Sequence, residues 1–70
     1  MKLNQLKYFL KIAELGSVSA ASRQLYIAQP ALSHQVAALE KELEVELFIR
    51  SVKGVQLTAA GEKLFHHAGL

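Results

Sequence analysis

Cysteine is absent from the chain, so neither a disulfide nor a thiolate metal site can add to its stability. Proline occurs once and glycine four times, too sparsely for a flexible linker, and no segment repeats or falls into low complexity. No apolar run approaches the roughly 20 residues that a helix needs to cross a bilayer. The charged start Met1-Lys2 leads into no signal-like apolar block, so a soluble intracellular domain is the expectation. Charge of either sign is modest: eight Lys and Arg against six acids leave a net +2 and a pI near 9.2. That balance does not by itself mark a nucleic-acid binder. An enzyme finds little support, because no nucleophile is paired with a base, no glycine loop could cradle phosphate and no metal set is present.

The placement of the charge says more than its sum. All of the acid lies at Glu14, Glu40, Glu42, Glu44, Glu46 and Glu62. From Leu15 to Leu39 the chain carries only Arg23 and His34, and from Leu47 to Gly61 only Arg50 and Lys53. Phosphate could approach both segments. Seventy residues make one small domain, of which 51% are apolar, enough for a compact core. Such a chain buries only about 60% of its unfolded surface.

The segment from Gln29 to Leu43 is the most informative. Leu32, Val36, Leu39 and Leu43 fall at i, i+4, i+7 and i+11, one stripe along a helix. Pro30 suits its first turn, where a missing N–H costs nothing. Pro30, Ser33, His34, Ala37 and Lys41 then lie on the opposite or flanking faces, leaving a small, polar, acid-free surface near the N-terminus. Before it, Leu3, Leu6, Phe9, Leu10 and Ala13 predict a first helix, with Lys2, Gln5, Lys7, Lys11 and Glu14 elsewhere and Gly16 closing it. Ser17 or Ser19 offers a cap for a short second helix over Ala20–Leu25. Small Ala21 and Ser22 let it approach the next helix closely, and Tyr26-Ile27-Ala28 makes a tight connection anchored by Ile27.

A short helix, a tight turn and a longer helix form the helix-turn-helix pattern. Beyond Leu43 the helical period fades, and Leu47–Arg50 and Val55–Leu57 read as two strands around Ser51–Gly54. Such a hairpin is marginal alone and must lean on the helices through Leu47, Phe48 and Leu57. Thr58 caps a last helix, Ala59–Ala68, with Ala60, Leu64 and Ala68 at i, i+4 and i+8. The fold class is therefore mainly α: a winged helix-turn-helix with a three-helix core, a short two-stranded wing and a C-terminal helix.

These residues resemble a known family. Leu3-x-x-Leu6-x-x-Phe9, Gly16-Ser17, Ala21, Leu25, Ile27, Gln29-Pro30-Ala31-Leu32-Ser33, Gln35, Leu39-Glu40 and Leu43 look like the N-terminal domain of LysR-type transcriptional regulators. So do Leu47-Phe48-x-Arg50, Gly54, Leu57-Thr58 and Ala60-Gly61, in unbroken register over essentially the whole chain. Within the family, Ile27–Ser33 and Ile49-Arg50 look most like the nitrogen-assimilation-control type. The resemblance implies a bacterial, cytoplasmic, nucleoid-associated regulator in which residues 1–57 bind double-stranded DNA and residues 58–70 begin a dimerisation linker helix. It implies a homodimer or higher homo-oligomer, and a small-molecule effector bound only by a further, larger domain that this chain stops short of. The family's base-reading positions fall on Gln29, Pro30, Ser33 and His34, and its wing contact on Lys53. Arg50 and the second helix's N-terminal end at Ser19 would meet backbone phosphates. Pairing would run along Ala60, Leu64 and Ala68. No cofactor, metal or membrane is implied.

The chain also departs from the family. Ala28 stands where many members have a capping Ser, leaving Gln29 as a substitute cap. His34 replaces a frequent Arg, and so gives up a bidentate guanine contact while keeping one hydrogen bond at a base edge. Glu44 stands where Gly often ends the reading helix, which predicts a longer or strained terminus, and Gly69-Leu70 replace an expected Arg.

Each of these residues has a plainer reading. Gln29 and Ser33 could be ordinary exposed polar residues; in a groove, glutamine suits adenine and serine either a base or a phosphate. His34 could be a surface histidine, Lys53 a solvated hairpin lysine, and Arg50 the ion-pair partner of a glutamate between Glu40 and Glu46. Glu40–Glu46 lacks the alternation of a calcium loop and reads as the solvated end of a helix, with three acids mildly opposing its dipole. His66-His67 point about 100° apart on a helix and read as surface or interface residues. The rival function is a winged helix that pairs through Ala60–Ala68 with a protein and reads no DNA. Binding of random duplex at low salt separates the two, because a pure interaction module has no salt-dependent affinity for it.

Overall fold

The computed structural model describes residues 2–68, so the departure at Gly69-Leu70 lies outside the described residues. Helix α1 (Leu3–Leu15) buries Gln5, Phe9 and Ile12, at i, i+4 and i+7. That stripe is rotated from the one expected. Leu3 is 71% exposed, whereas Gln5, expected on the wet face, is buried. Burial of the amide is satisfied at both ends: Gln5 Nε2 donates to Gln35 Oε1 at 3.2 Å and the Lys2 N–H donates to Gln5 Oε1 at 3.2 Å.

Helix α2 (Val18–Leu25) begins two residues earlier than expected, and of the two candidate serines Ser17 is its cap, accepting from the Ala20 N–H at 3.1 Å. Val18 and Ala21 are buried against α1 and the third helix, and Ala21 has no exposed surface. Ile27 in the turn is half-buried against the core, as expected, while Tyr26 takes a left-handed φ of 56° and projects into solvent.

Helix α3 (Gln29–Leu43) buries Leu32, Val36 and Leu39; the fourth residue of the predicted stripe, Leu43, is exposed because the helix ends there. Gln29 does not cap it. Ala28 is the capping residue and contributes no side-chain hydrogen bond, so the helix relies on proline in its first turn and on tertiary packing. At the other end Glu44 adopts φ 57°, ψ 34°, the left-handed conformation that glycine takes at no steric cost. Its N–H closes the helix on the Glu40 and Lys41 carbonyls. Replacing Glu44 by Gly removes both the strain and an acid from the negative end of the dipole. We expect Glu44→Gly to stabilise the domain by about 1 kcal/mol, measured by urea unfolding with unchanged m-value.

Strands β1 (Phe48–Ser51) and β2 (Gly54–Leu57) pair antiparallel in the register Phe48↔Leu57 to Ser51↔Gly54, with Val52-Lys53 as the turn. Gly54 opens β2 with φ 117°, and a Cβ there would stand 2.6 Å from the Gly16 carbonyl oxygen. The same oxygen accepts from the Val55 N–H at 3.2 Å, so the wing is clasped to the α1–α2 turn. Buried Leu47 and Phe48 root the wing in the core, where the Phe48 and Phe9 rings lie 5.2 Å apart. Thr58 caps α4 (Ala59–Ala68): its Oγ1 accepts from the Gly61 N–H at 3.0 Å and donates to the Glu46 carbonyl. Three core helices, a two-stranded wing and a fourth helix constitute the expected winged helix-turn-helix.

Candidate nucleic-acid interface

The N-terminal turn of α3 puts Gln29, Pro30, Ala31 and His34 on the surface and leaves Ser33 half-buried. Two of these side chains are tied to neighbouring elements. Ser19 Oγ, in the first turn of α2, donates to Gln29 Oε1 at 3.0 Å. From β1, Arg50 Nη2 donates to Ser33 Oγ at 3.3 Å. The guanidinium thus reaches across to α3 through Ser33. Those two hydrogen bonds bring α2, α3 and the wing together around one open cleft of about 250 Å³. Ser17, Ser19, Gln29, Arg50 and Ser51 line it, with Val18, Val52, Gly54 and Val55, and no acid does. The lining therefore offers an entering anion a cation, hydroxyls and an amide, and no fixed negative charge.

Lys53 sits at the wing tip between two residues that line the cleft, and its N–H donates to Ser51 Oγ at 3.3 Å. Like His34 and Pro30, Lys53 is exposed. Of the predicted contacts, Ser19, Gln29 and Arg50 line the cleft itself, Ser33 is tied to it through Arg50, and Pro30, His34 and Lys53 are exposed outside it. Ser19 is half-buried, and its hydroxyl is committed to Gln29.

The residues expected to pair two copies sit differently. Ala60 and Leu64 are half-buried against the domain's own core, and Ala68 is half-buried further along α4. The outer side of that helix carries Phe65, His66 and His67. The two histidine rings meet edge to face at 5.5 Å. Glu62 stands four residues before His66, but among the described residues no three His, Cys, Asp or Glu gather to hold a metal ion. Nor is any helix among them long and apolar enough to cross a membrane.

Three structural residues escaped the periodicity argument. Glu40, expected in a solvated run, turns back so that its Oε2 accepts from the Leu47 and Phe48 N–H groups at 2.7 and 3.2 Å. Gln5 and Gln35 join α1 to α3; the signal was present, since Gln5 stands at i−4 from Phe9 and Gln35 at i−4 from Leu39. Reading polar residues as outward by default hid it.

The sequence pattern of the bacterial regulatory helix-turn-helix proteins of the lysR family matches residues 3–62. The nitrogen assimilation regulatory protein nac of Klebsiella aerogenes is 53% identical over 68 residues, 97% of this chain and 22% of that regulator. The regulator ClcR of Pseudomonas putida is 47% identical over the same length, 23% of its own. Against these relatives, then, the chain spans less than a quarter of the length. Among solved structures, a CbnR DBD–DNA complex superposes with a TM-score of 0.94 at 43% identity, covering 99% of this chain and 79% of that one. A BenM DBD bound to catB site 1 DNA gives 0.93 at 38% identity, covering 97% and 76%. A pattern matched across nearly the whole domain, on a fold that agrees with it element by element, places this chain in the LysR family of bacterial helix-turn-helix regulatory proteins.

Proposed function

We propose that the chain is the sequence-specific, double-stranded-DNA-binding domain of a bacterial transcription regulator. The observation that carries the reading is the acid-free cleft lined by Ser19, Gln29 and Arg50 at the exposed start of α3, where Ser19 holds Gln29 and Arg50 reaches Ser33. Helix α3 enters the major groove with Gln29, Pro30, Ser33 and His34 toward base edges, and α2 braces it across the backbone. Arg50 and Lys53 on the wing meet phosphates. Solved relatives of the same fold bear DNA in their own structures, which supports the assignment.

In the same reading, residues 1–57 form the reading head and residues 58–70 begin the helix that joins two copies. With a net charge of only +2, one copy binds weakly, and affinity comes from two heads on two half-sites. Ala60 and Leu64 already serve their own domain, so Phe65, 36% exposed, and Ala68 supply the apolar surface left for pairing. The relatives are transcriptional regulators, no catalytic step is assigned, and the protein's place is the cytoplasm, on the nucleoid.

Selection of bound duplexes from a random pool tests the assignment. Gln29→Ala and Ser33→Ala are expected to relax base preference, each at a cost of about 1–3 kcal/mol per lost base contact on the preferred site. Lys53→Ala is expected to weaken all sequences alike and to flatten the salt dependence by about one unit of slope. Equal losses on preferred and random DNA for Gln29→Ala would remove that residue from the reading surface.

A further inference from the structure

We propose that Ser19 is a positioning residue that decides which base Gln29 reads, turning it from adenine toward guanine. The inference rests on the proposed reading that Gln29 faces base edges, and adds to it which atoms of the amide do the reading. Glutamine recognises adenine by two bonds side by side: its oxygen accepts from N6–H2 while its nitrogen donates to N7. Here the oxygen is engaged before DNA arrives, because Ser19 Oγ donates to Gln29 Oε1 at 3.0 Å. An amide oxygen keeps a second lone pair, but the Ser19 bond pins the oxygen end of the amide toward α2. What remains unengaged is Nε2 with its two hydrogens.

A group that only donates is matched by an edge that only accepts. Guanine presents O6 and N7, both acceptors, in the major groove; adenine places an N6 donor beside its single N7 acceptor. The donor of adenine would face the donor of the amide. Exclusion of water from the groove strengthens the Ser19 bond relative to its strength in the free, exposed state.

The arrangement also changes the role of Ser19 itself. A serine hydroxyl has one hydrogen to give, and a phosphate oxygen can only accept. With that hydrogen given to Gln29, Ser19 has none for the phosphate contact that the family resemblance implies. Ser22 Oγ donates to the Ser19 carbonyl at 3.0 Å, so the neighbouring hydroxyl is committed within α2 and does not compete for the amide.

Selection from a random duplex pool with four proteins tests the proposal: the parent chain, Ser19→Ala, Ser19→Thr and Gln29→Ala. The position at which Gln29→Ala flattens the preference is the position Gln29 reads. There the parent chain is expected to prefer guanine to adenine. Ser19→Ala is expected to move that ratio toward adenine by roughly threefold to tenfold, the worth of one hydrogen bond. Ser19→Thr, which keeps the hydroxyl, is expected to retain the parent preference. Adenine preferred by the parent chain overturns the proposal, and so does a Ser19→Ala profile that keeps its shape while all affinities fall, as loss of a phosphate contact would give. If Gln29→Ala flattens no position, the base-reading assignment of Gln29 fails and takes this inference with it. If it flattens one and Ser19→Ala leaves that one unchanged, only the role of Ser19 falls.

Discussion

Gly61→Ala is expected to destabilise the domain by about 3 kcal/mol, although alanine is the better helix former by up to about 1 kcal/mol. The position is in the first turn of α4, where a methyl group is ordinarily welcome. Here a Cβ would stand 2.2 Å from the Leu47 carbonyl oxygen and 3.1 Å from Leu57 Cδ2. The nearer contact is backbone, and that backbone is engaged: the Leu47 carbonyl accepts from the Thr58 N–H at 3.0 Å. Relief requires α4 to move away from the root of the wing, undoing the Thr58 cap and the packing of Ala60 and Leu64. A 70-residue domain has only about 3.5–10 kcal/mol of stability to lose, so a large part of it goes with one methyl group. Thermal unfolding followed by circular dichroism checks the effect, with a fall in Tm of roughly 10–20 °C expected. A Tm equal to or above that of the parent chain would show that α4 can shift without cost. Gly61 thus sets how closely the helix assigned to pairing lies against the DNA-reading head.

Gly61 also marks the limit of what periodicity makes legible. Helix α3 was readable because Leu32, Val36 and Leu39 repeat at helical spacing and a proline stands in the first turn. The wing was readable from two short β-prone runs around a glycine, and the cap of α4 from a threonine before an apolar period. Helix α1 was found but its face was misjudged, because Gln5 shares a stripe with Phe9 and Ile12, and a buried amide looks like a wet one until its partner is known. The candidate site divides the same way. Its exposed members, Gln29, Pro30, His34 and Lys53, were found from helical phase, turn position and family resemblance. Its internal bonds, Ser19 to Gln29 and Arg50 to Ser33, join residues ten and seventeen positions apart and leave no periodic trace. Only the crossing of α2, α3 and the wing brings them together.

Glu40 is the second residue whose loss should be felt throughout the domain. Its Oε2 accepts from the N–H groups of Leu47 at 2.7 Å and Phe48 at 3.2 Å, where the chain leaves the helical layer and starts β1. The Glu40 carbonyl meanwhile accepts from the Val45 N–H at 3.2 Å, so one residue closes α3 and holds the chain at Leu47 and Phe48, where it enters the wing. Hydrogen bonds to a charged acceptor are worth about 1.5–3 kcal/mol each; partial exposure of Glu40 brings the expected loss for Glu40→Ala to about 2–3 kcal/mol in all. Glu40→Gln keeps an acceptor oxygen without the charge, and about half of that loss is expected. Hydrogen exchange should locate the damage, with protection falling first at the Leu47 and Phe48 amides and then along β1 and β2. Because the wing carries Arg50 and Lys53, Glu40→Ala should also weaken DNA binding on preferred and random duplexes by the same factor, leaving the base profile of Gln29 in place. A selective change in base preference would instead mean that Glu40 acts on α3. Unchanged protection at Leu47 and Phe48 would mean that the carboxylate is not what holds the wing. The acids in this otherwise acid-poor chain are therefore not one solvated run: Glu44 strains the end of α3, while Glu40 anchors the strand that carries Arg50.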